Sequence, residues 1–136
     1  MWSNDLSTED AATVGGMAVR AIRGATQIDA DSRDLLLEAT AELVREVLSC
    51  NALTPDDLIS VVLTATPDLV SEFPAYAARQ AGLSDVPLLS ATEIAVPGSM
   101  PRVIRLLAHV ETDLPRSSIK HVYLRGAAAL RTDLNH

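Results

Sequence analysis

The run Leu58–Thr66 (LISVVLTAT) constrains the fold more than any other part of the chain. Aliphatic or β-branched residues occur at both the odd-numbered and the even-numbered positions of the run, so both sides of the strand are apolar. This pattern is typical of a strand that is covered on both faces. Pro67 follows the run and ends it, because proline cannot donate a backbone hydrogen bond within a sheet. The run therefore predicts a buried central strand.

Two helical patterns flank this strand. The first covers residues 29–51, with Asp31 or Ser32 as its candidate N-cap. Its apolar residues form one broad helical face, made of Leu35, Leu36, Ala39, Leu43, Val44, Val47 and Leu48. The second covers residues 68–82, where Pro74 is expected to kink or restart the helix.

Four further strands are expected, at residues 17–26 (ending near Arg23), 86–92, 103–111 and 121–125. Alternation in the third of these places Arg105 on the side away from the main apolar face. The order of elements predicts an α/β (α+β) fold, a mixed five-stranded sheet with two main helices on one face.

The second face of such a sheet raises the question of what covers it. Valine, leucine and isoleucine occur on both sides of the central strand, and two helices cover only one side. Burial against identical neighbours would cover the other, so we expect a closed homo-oligomer.

The charged residues limit the kinds of molecule that the protein can be expected to bind. The formal net charge is -7, so the chain lacks the basic stripe that neutralises a phosphate backbone, and we expect no nucleic-acid partner. Its cations are ten arginines and one lysine. Arginine binds carboxylates bidentately and keeps its charge when desolvated, so a site for a small anion can be built from this set.

Cys50 is the single cysteine, which excludes an intrachain disulfide and a cysteine-based metal cluster and fits a reducing cytoplasm. Residues 1–16 have no apolar segment of a secretory signal, and no run is long enough to span a membrane. We interpret residues 1–16 as a polar extension and residues 17–136 as a single domain without a membrane partner.

Signatures of nucleophilic, nucleotide-dependent and metal-dependent catalysis are missing from the sequence, so no cofactor and no metal are expected. What remains is a set of polar side chains near predicted strand ends: Arg23, Glu93, Arg105, Tyr123 and Arg131. Binding groups gather at such positions in α/β sheets, although each residue alone also fits an ordinary surface group. His109, His121 and Cys50 are interpreted as structural.

Several motifs in combination resemble one family. They are Arg20-Ala-Ile-Arg-Gly-Ala-Thr26, then Thr64-Ala-Thr-Pro-Asp68 with Phe73-Pro-Ala75, an isolated Glu93, Arg105, and His121-Val-Tyr-Leu124 with a later Leu130-Arg131. Over residues 17–134 the chain resembles the monofunctional, trimeric chorismate mutases of the α/β class. The resemblance implies a trimeric pseudo-α/β-barrel whose active sites lie at subunit interfaces.

This resemblance implies an isomerase that converts chorismate to prephenate in phenylalanine and tyrosine biosynthesis. The [3,3] rearrangement is unimolecular and needs no nucleophile, general base or metal. Partial negative charge develops on the ether oxygen as the bond stretches, and a fixed cation there binds the transition state better than the ground state.

Roles follow by matching positions to the family pattern. Arg105 matches the catalytic arginine at the ether oxygen, and Glu93 the glutamate that binds the ring hydroxyl. Arg23 and Tyr123 match carboxylate-binding residues. The remaining matches are to the pocket wall, to residues from a neighbouring subunit and to a C-terminal lid: Leu89, Ser90, Ala91 and Thr92, then Phe73 and Arg79, then Leu130 and Arg131.

Three positions depart from that pattern. Ser90 stands where some members have cysteine, Tyr76 where a lysine lies near the pocket mouth, and Thr132 where proline follows the lid arginine. The alternative hypotheses are a trimeric protein of related fold that binds a small carboxylate without rearranging it, and a purely structural or interaction protein.

Overall fold

The computed structural model describes residues 16–131, so the polar extension predicted for residues 1–16 lies almost wholly outside it. Seven main elements make up the fold, and three short 3₁₀ turns accompany them. They are β1 (Ala18–Gln27), α1 (Arg33–Cys50), β2 (Leu58–Ala65), α2 (Pro74–Gln80), β3 (Leu88–Thr92), β4 (Val103–Thr112) and β5 (Val122–Tyr123), with 3₁₀ turns at Pro55–Asp57, Arg116–Ser118 and Arg125–Leu130.

The strands form one mixed sheet in the order β3-β2-β4-β1-β5. β4 pairs antiparallel with both β1 and β2, whereas β3 runs parallel to β2 and β5 parallel to β1. The expected mixed five-stranded α+β sheet is therefore confirmed, with β3 and β5 at its two edges.

Both helices cover one face of the sheet. α1 begins at the N-cap Ser32, whose hydroxyl accepts a hydrogen bond from the backbone N–H of Leu35, and ends at Asn51. Its buried stripe packs on alternate residues of β1, β2 and β4, and the shared core contains Leu43, Val44, Val47, Ile22, Val61, Leu63, Leu106, Ala108 and Val110. Removing this aliphatic area from water is the main stabilising contribution of the fold.

β1 does not end near Arg23 as predicted, because Gly24 lies inside the strand. A Cβ at Gly24 would lie 3.2 to 3.3 Å from side-chain atoms of Leu43, Val47 and Leu106. The glycine therefore allows α1 to approach β1 closely, and it does not form a turn.

The second helix begins at Pro74, six residues later than predicted. Two carboxylates hold the preceding segment in a non-helical path. Asp31 accepts hydrogen bonds from the backbone N–H groups of Val70 and Ser71, and Asp68 accepts one from the N–H of Arg102. Proline without an N–H then suits the first helical position.

The C-terminal prediction is also corrected. The strand expected at residues 121–125 has only two paired residues, and a 3₁₀ turn follows at Arg125–Leu130. Ala127 of this turn is buried, and Leu124 donates its N–H to the carbonyl oxygen of Ala25. The chain thus folds back against the end of β1.

The sheet face opposite the helices carries apolar side chains, including Val19 at 58%, Leu89 at 62% and Leu107 at 37% exposure. Within residues 16–131, no helix combines the length and the apolar character needed to cross a membrane.

Candidate active site

One row of residues crosses the sheet on the face away from the helices. Strand pairing places Ala91, Thr64, Arg105, Ala25 and Tyr123 side by side on β3, β2, β4, β1 and β5. The alternation in β4 is as predicted, since Ile104 and Leu106 are buried toward the core and Arg105 is not. The row therefore gathers polar side chains that are far apart in sequence.

Glu93 joins this row from the end of β3. Its backbone N–H donates to the carbonyl oxygen of Ala65 at 2.9 Å, which extends the pairing of β3 with β2 by one step. Its carboxylate oxygen Oε2 accepts hydrogen bonds from Arg105 Nε at 3.0 Å and from Thr64 Oγ1 at 2.6 Å. Two of the predicted site residues, Glu93 and Arg105, thus form a direct ion pair.

At the β5 edge lies a concavity of about 490 Å³. Arg23, Lys120, Arg131 and Tyr123 line it, together with Glu46. Three cations against one carboxylate favour an anionic ligand. Three further predicted site residues, Arg23, Tyr123 and Arg131, are therefore brought together here.

His121 connects β5 to the backbone of Arg23. Its Nδ1 accepts a hydrogen bond from the Arg23 N–H at 2.9 Å, so the ring is neutral with its proton on Nε2. Partial burial, and then the nearby positive charge of Arg23, lower the pKa of His121 below its ordinary value of 6.5. The histidine thus stabilises the strand pair that carries Arg23 and Tyr123.

Protonation of His121 is expected to weaken this junction, because a protonated Nδ1 cannot accept the hydrogen bond. Since the folded-state pKa is lowered, the stabilisation is complete above pH 6.5 and is lost as the pH falls through that lowered pKa. The ring is only partly buried, so we expect Tm to fall by only about 1–3 °C between about pH 7.5 and about pH 5.5.

The matched control is His121→Asn, whose amide oxygen can accept the same hydrogen bond without titrating in this range. Thermal unfolding followed by circular dichroism across this range should show a smaller decrease for the variant. Parallel curves for the two proteins would contradict the role assigned to His121.

A second concavity, of about 340 Å³, lies at the opposite edge of the sheet. It is lined by residues 69–74 and by Ser90, Ala91 and Thr92 of β3, and it includes Phe73, which is 70% exposed. Leu89 and Arg79 are exposed on β3 and α2. This half of the predicted residue set is therefore distant from Arg23 and Tyr123 within one chain.

The Ser90 hydroxyl is already engaged within the fold, because its oxygen accepts a hydrogen bond from the Ala75 N–H at 2.9 Å. This bond ties β3 to the first turn of α2. β3 is an edge strand, so its outer backbone groups have no strand partner within the sheet. The outer backbone of β3 and its exposed residues Leu89, Ala91 and Thr92 thus remain for a ligand or a neighbouring chain.

Tyr76 lies beside a positive charge. The Arg33 guanidinium carbon lies 5.4 Å from the centre of the Tyr76 ring, and Arg33 Nε lies 2.9 Å from Glu72 Oε1. The hydrogen bond from the Phe73 N–H, followed by the ion pair with Arg33, lowers the pKa of Glu72. These contacts hold the segment that carries Phe73.

Leu130 and Arg131 end the described part of the chain, and Thr132 lies beyond it. Thr64 has no role assigned from the sequence, although it lies in the motif Thr64-Ala-Thr-Pro-Asp68. His121 is structural, as interpreted from the sequence, since it binds the backbone N–H of Arg23. Within residues 16–131, no group of three or more histidine, cysteine, aspartate or glutamate side chains could hold a metal ion.

The fold and the site together define a class: a small α+β protein whose open sheet face presents an arginine–glutamate pair beside a cationic concavity suited to a carboxylate ligand. The model of the family "chorismate mutase type I" matches residues 19–134. The chain belongs to the type I chorismate mutase family.

Relatives agree with this assignment. The chain is 50% identical over 117 residues to chorismate mutase AroH of Thermus thermophilus, covering 85% of this chain and 96% of the relative. It is 38% identical over 120 residues to chorismate mutase AroH of Bacillus subtilis, covering 88% and 94%. A solved chorismate mutase from Clostridium thermocellum superposes with a TM-score of 0.79 at 44% identity, covering 81% of this chain and 98% of that one.

Proposed function

We propose that the protein is a chorismate mutase that rearranges chorismate to prephenate. The observation that carries this proposal is the Glu93–Arg105 ion pair on the same open sheet face as Arg23 and Tyr123. In the rearrangement the ether C–O bond breaks as a new C–C bond forms, and no proton is transferred. A site made of fixed charges, without a nucleophile, is suited to such a reaction.

Arg105 is the catalytic residue in this proposal. Its Nε–H is engaged by Glu93, and the guanidinium has four more N–H donors with which to contact the ether oxygen and a substrate carboxylate. Because the negative charge on the ether oxygen grows in the transition state, a preorganised cation there accelerates the reaction.

Glu93 accepts a hydrogen bond from the ring hydroxyl of the substrate, and Arg23 and Tyr123 bind the substrate's carboxylates. Their function is to hold the compact conformer in which the two ends of the reacting system are close. Leu130 and Arg131 are assigned to a lid over the β5-edge concavity. Chorismate and prephenate are thus the small-molecule partners, and no cofactor is required.

The active site is completed by a second copy of the chain. The β3-edge residues, from Phe73 and Arg79 to Leu89–Thr92, are separated from the β5-edge residues by four strand spacings, about 19 Å. A ring in which the β3 edge of one chain meets the β5 edge of the next would unite the two half-sites and bury the apolar sheet face. Three chains closing such a ring form the trimeric pseudo-α/β-barrel.

The test of function is a continuous assay of chorismate loss with product identified as prephenate. Catalysed conversion by the folded protein supports the proposal. Binding of prephenate in calorimetry without any turnover would favour the carboxylate-binding alternative, and the absence of both binding and turnover would favour a structural protein.

The proposed trimer is tested by light scattering, which should give three times the mass of one chain.

A further inference from the structure

The Glu93–Arg105 ion pair joins two residues whose backbones are not on neighbouring strands. Glu93 follows the edge strand β3 and Arg105 lies on β4, with β2 between them. The two backbones are therefore separated by two strand spacings, about 10 Å. The carboxylate of Glu93 must cross over β2 to meet the guanidinium, and the residue that it crosses there is Thr64.

Thr64 contacts this bridge directly. Its position is fixed by pairing on both sides, with Arg105 on β4 and with Ala91 on β3. The hydroxyl Oγ1 donates to Glu93 Oε2 at 2.6 Å, the same oxygen that accepts from Arg105 Nε at 3.0 Å. Hydrogen bonds to ionised groups are stronger than neutral ones, so this contact orients the carboxylate.

The two oxygens of the Glu93 carboxylate differ in their hydrogen bonds. Oε2 is saturated by Thr64 and Arg105, whereas Oε1 accepts no hydrogen bond from residues 16–131 in the structure. Glu93 is only partly exposed, with 18% of its side-chain surface accessible, so few orientations are open to it.

We propose that Thr64 is a positioning residue for the rearrangement. Its hydroxyl holds Oε2 of Glu93, which leaves Oε1 as the acceptor for the substrate hydroxyl and keeps Arg105 aimed by its Nε contact. This inference rests on the proposed chorismate mutase function. Thr64 itself touches no substrate in this scheme and acts only through Glu93.

The decisive variant is Thr64→Val, which keeps the volume and β-branching of threonine and removes only the hydroxyl. We expect kcat to fall roughly 10- to 100-fold, the range for losing one charge-assisted hydrogen bond, with KM changing less than about threefold. Thr64→Ser restores the donor and should return kcat to within about threefold of the parent value.

Two controls separate positioning from packing. Ser60→Ala removes a hydroxyl from the same strand and the same sheet face, where its partner is His109, and should leave kcat unchanged. In a Glu93→Gln background, Thr64→Val should cost far less than it does alone, because the hydroxyl then has no carboxylate to hold.

The inference is overturned if Thr64→Val retains activity within about threefold of the parent, or if Thr64→Ser is as impaired as Thr64→Val. It is also overturned if the effects of Thr64→Val and Glu93→Gln are additive in the double variant. A parent protein without any chorismate mutase activity would instead refute the function on which the inference rests. The two failures are therefore distinguishable in the same set of assays.

Discussion

Arg105→Ala is expected to lower kcat on the order of 10³-fold while the protein stays folded. The guanidinium is the group assigned to the developing charge on the ether oxygen, and losing one preorganised donor of this type typically costs about 10²- to 10³-fold. About 42% of the Arg105 side-chain surface is exposed, so its removal leaves no core cavity. Steady-state kinetics of chorismate loss measure the effect, and circular dichroism checks the fold.

Two further variants sharpen this result. Arg105→Lys keeps the positive charge but loses the planar set of donors, so it should recover only a small part of the activity. Arg45→Ala removes an exposed arginine of α1, remote from the open sheet face, and should be indistinguishable from the parent. Near-normal turnover by Arg105→Ala would remove the electrostatic mechanism, whatever the oligomeric state.

Mixed trimers of two inactive variants should regain activity if each site is shared between chains. We assign Arg105 to the same half-site as Arg23 and Tyr123, so Arg105→Ala damages that half-site, and Arg79→Ala damages the half-site at the β3 edge. When the two chains are coexpressed in equal amounts with different tags, about one quarter of the interfaces should pair two intact halves. In each two-tag hybrid trimer one of the three interfaces pairs the two intact halves, so the activity of the purified hybrids should rise from near zero to about a third of the parent value.

The matched control combines Arg105→Ala with Arg23→Ala. Both residues belong to one chain's half-site, so no interface in these hybrids contains an intact set and activity should stay near zero. Recovery in this control, or no recovery in the Arg79→Ala mixture, would show that the half-sites are not shared as proposed.

Much of the fold could be predicted because it depends on local patterns. The apolar face of α1 repeats with the helical period, Ser32 is the N-cap, and β4 alternates with the period of a strand, which places Arg105 away from the core. These features need only neighbouring residues to be evident. Position near strand ends indicated Arg23, Glu93, Arg105, Tyr123 and Arg131 as candidates, whereas their roles and the other site residues are implied only by the family resemblance, since single polar side chains have no local signature.

Predictions failed where a distant contact overrides the local pattern. Gly24 has the appearance of a turn residue in sequence, yet it lies within β1 because α1 packs against it. Residues 68–73 fit a helical pattern, yet the carboxylates of Asp31 and Asp68 hold them in a loop. In each case the deciding partner is tens of residues away in sequence.

The sequence by itself determined α1, the central strand β2 and which face of β4 carries Arg105, because periodicity and capping act over a few residues. Only the tertiary structure decided that Glu93, Thr64 and Arg105 meet at one oxygen atom, and that His121 accepts from the backbone of Arg23. Those contacts depend on strand order and register, which are set by packing between segments far apart in the chain.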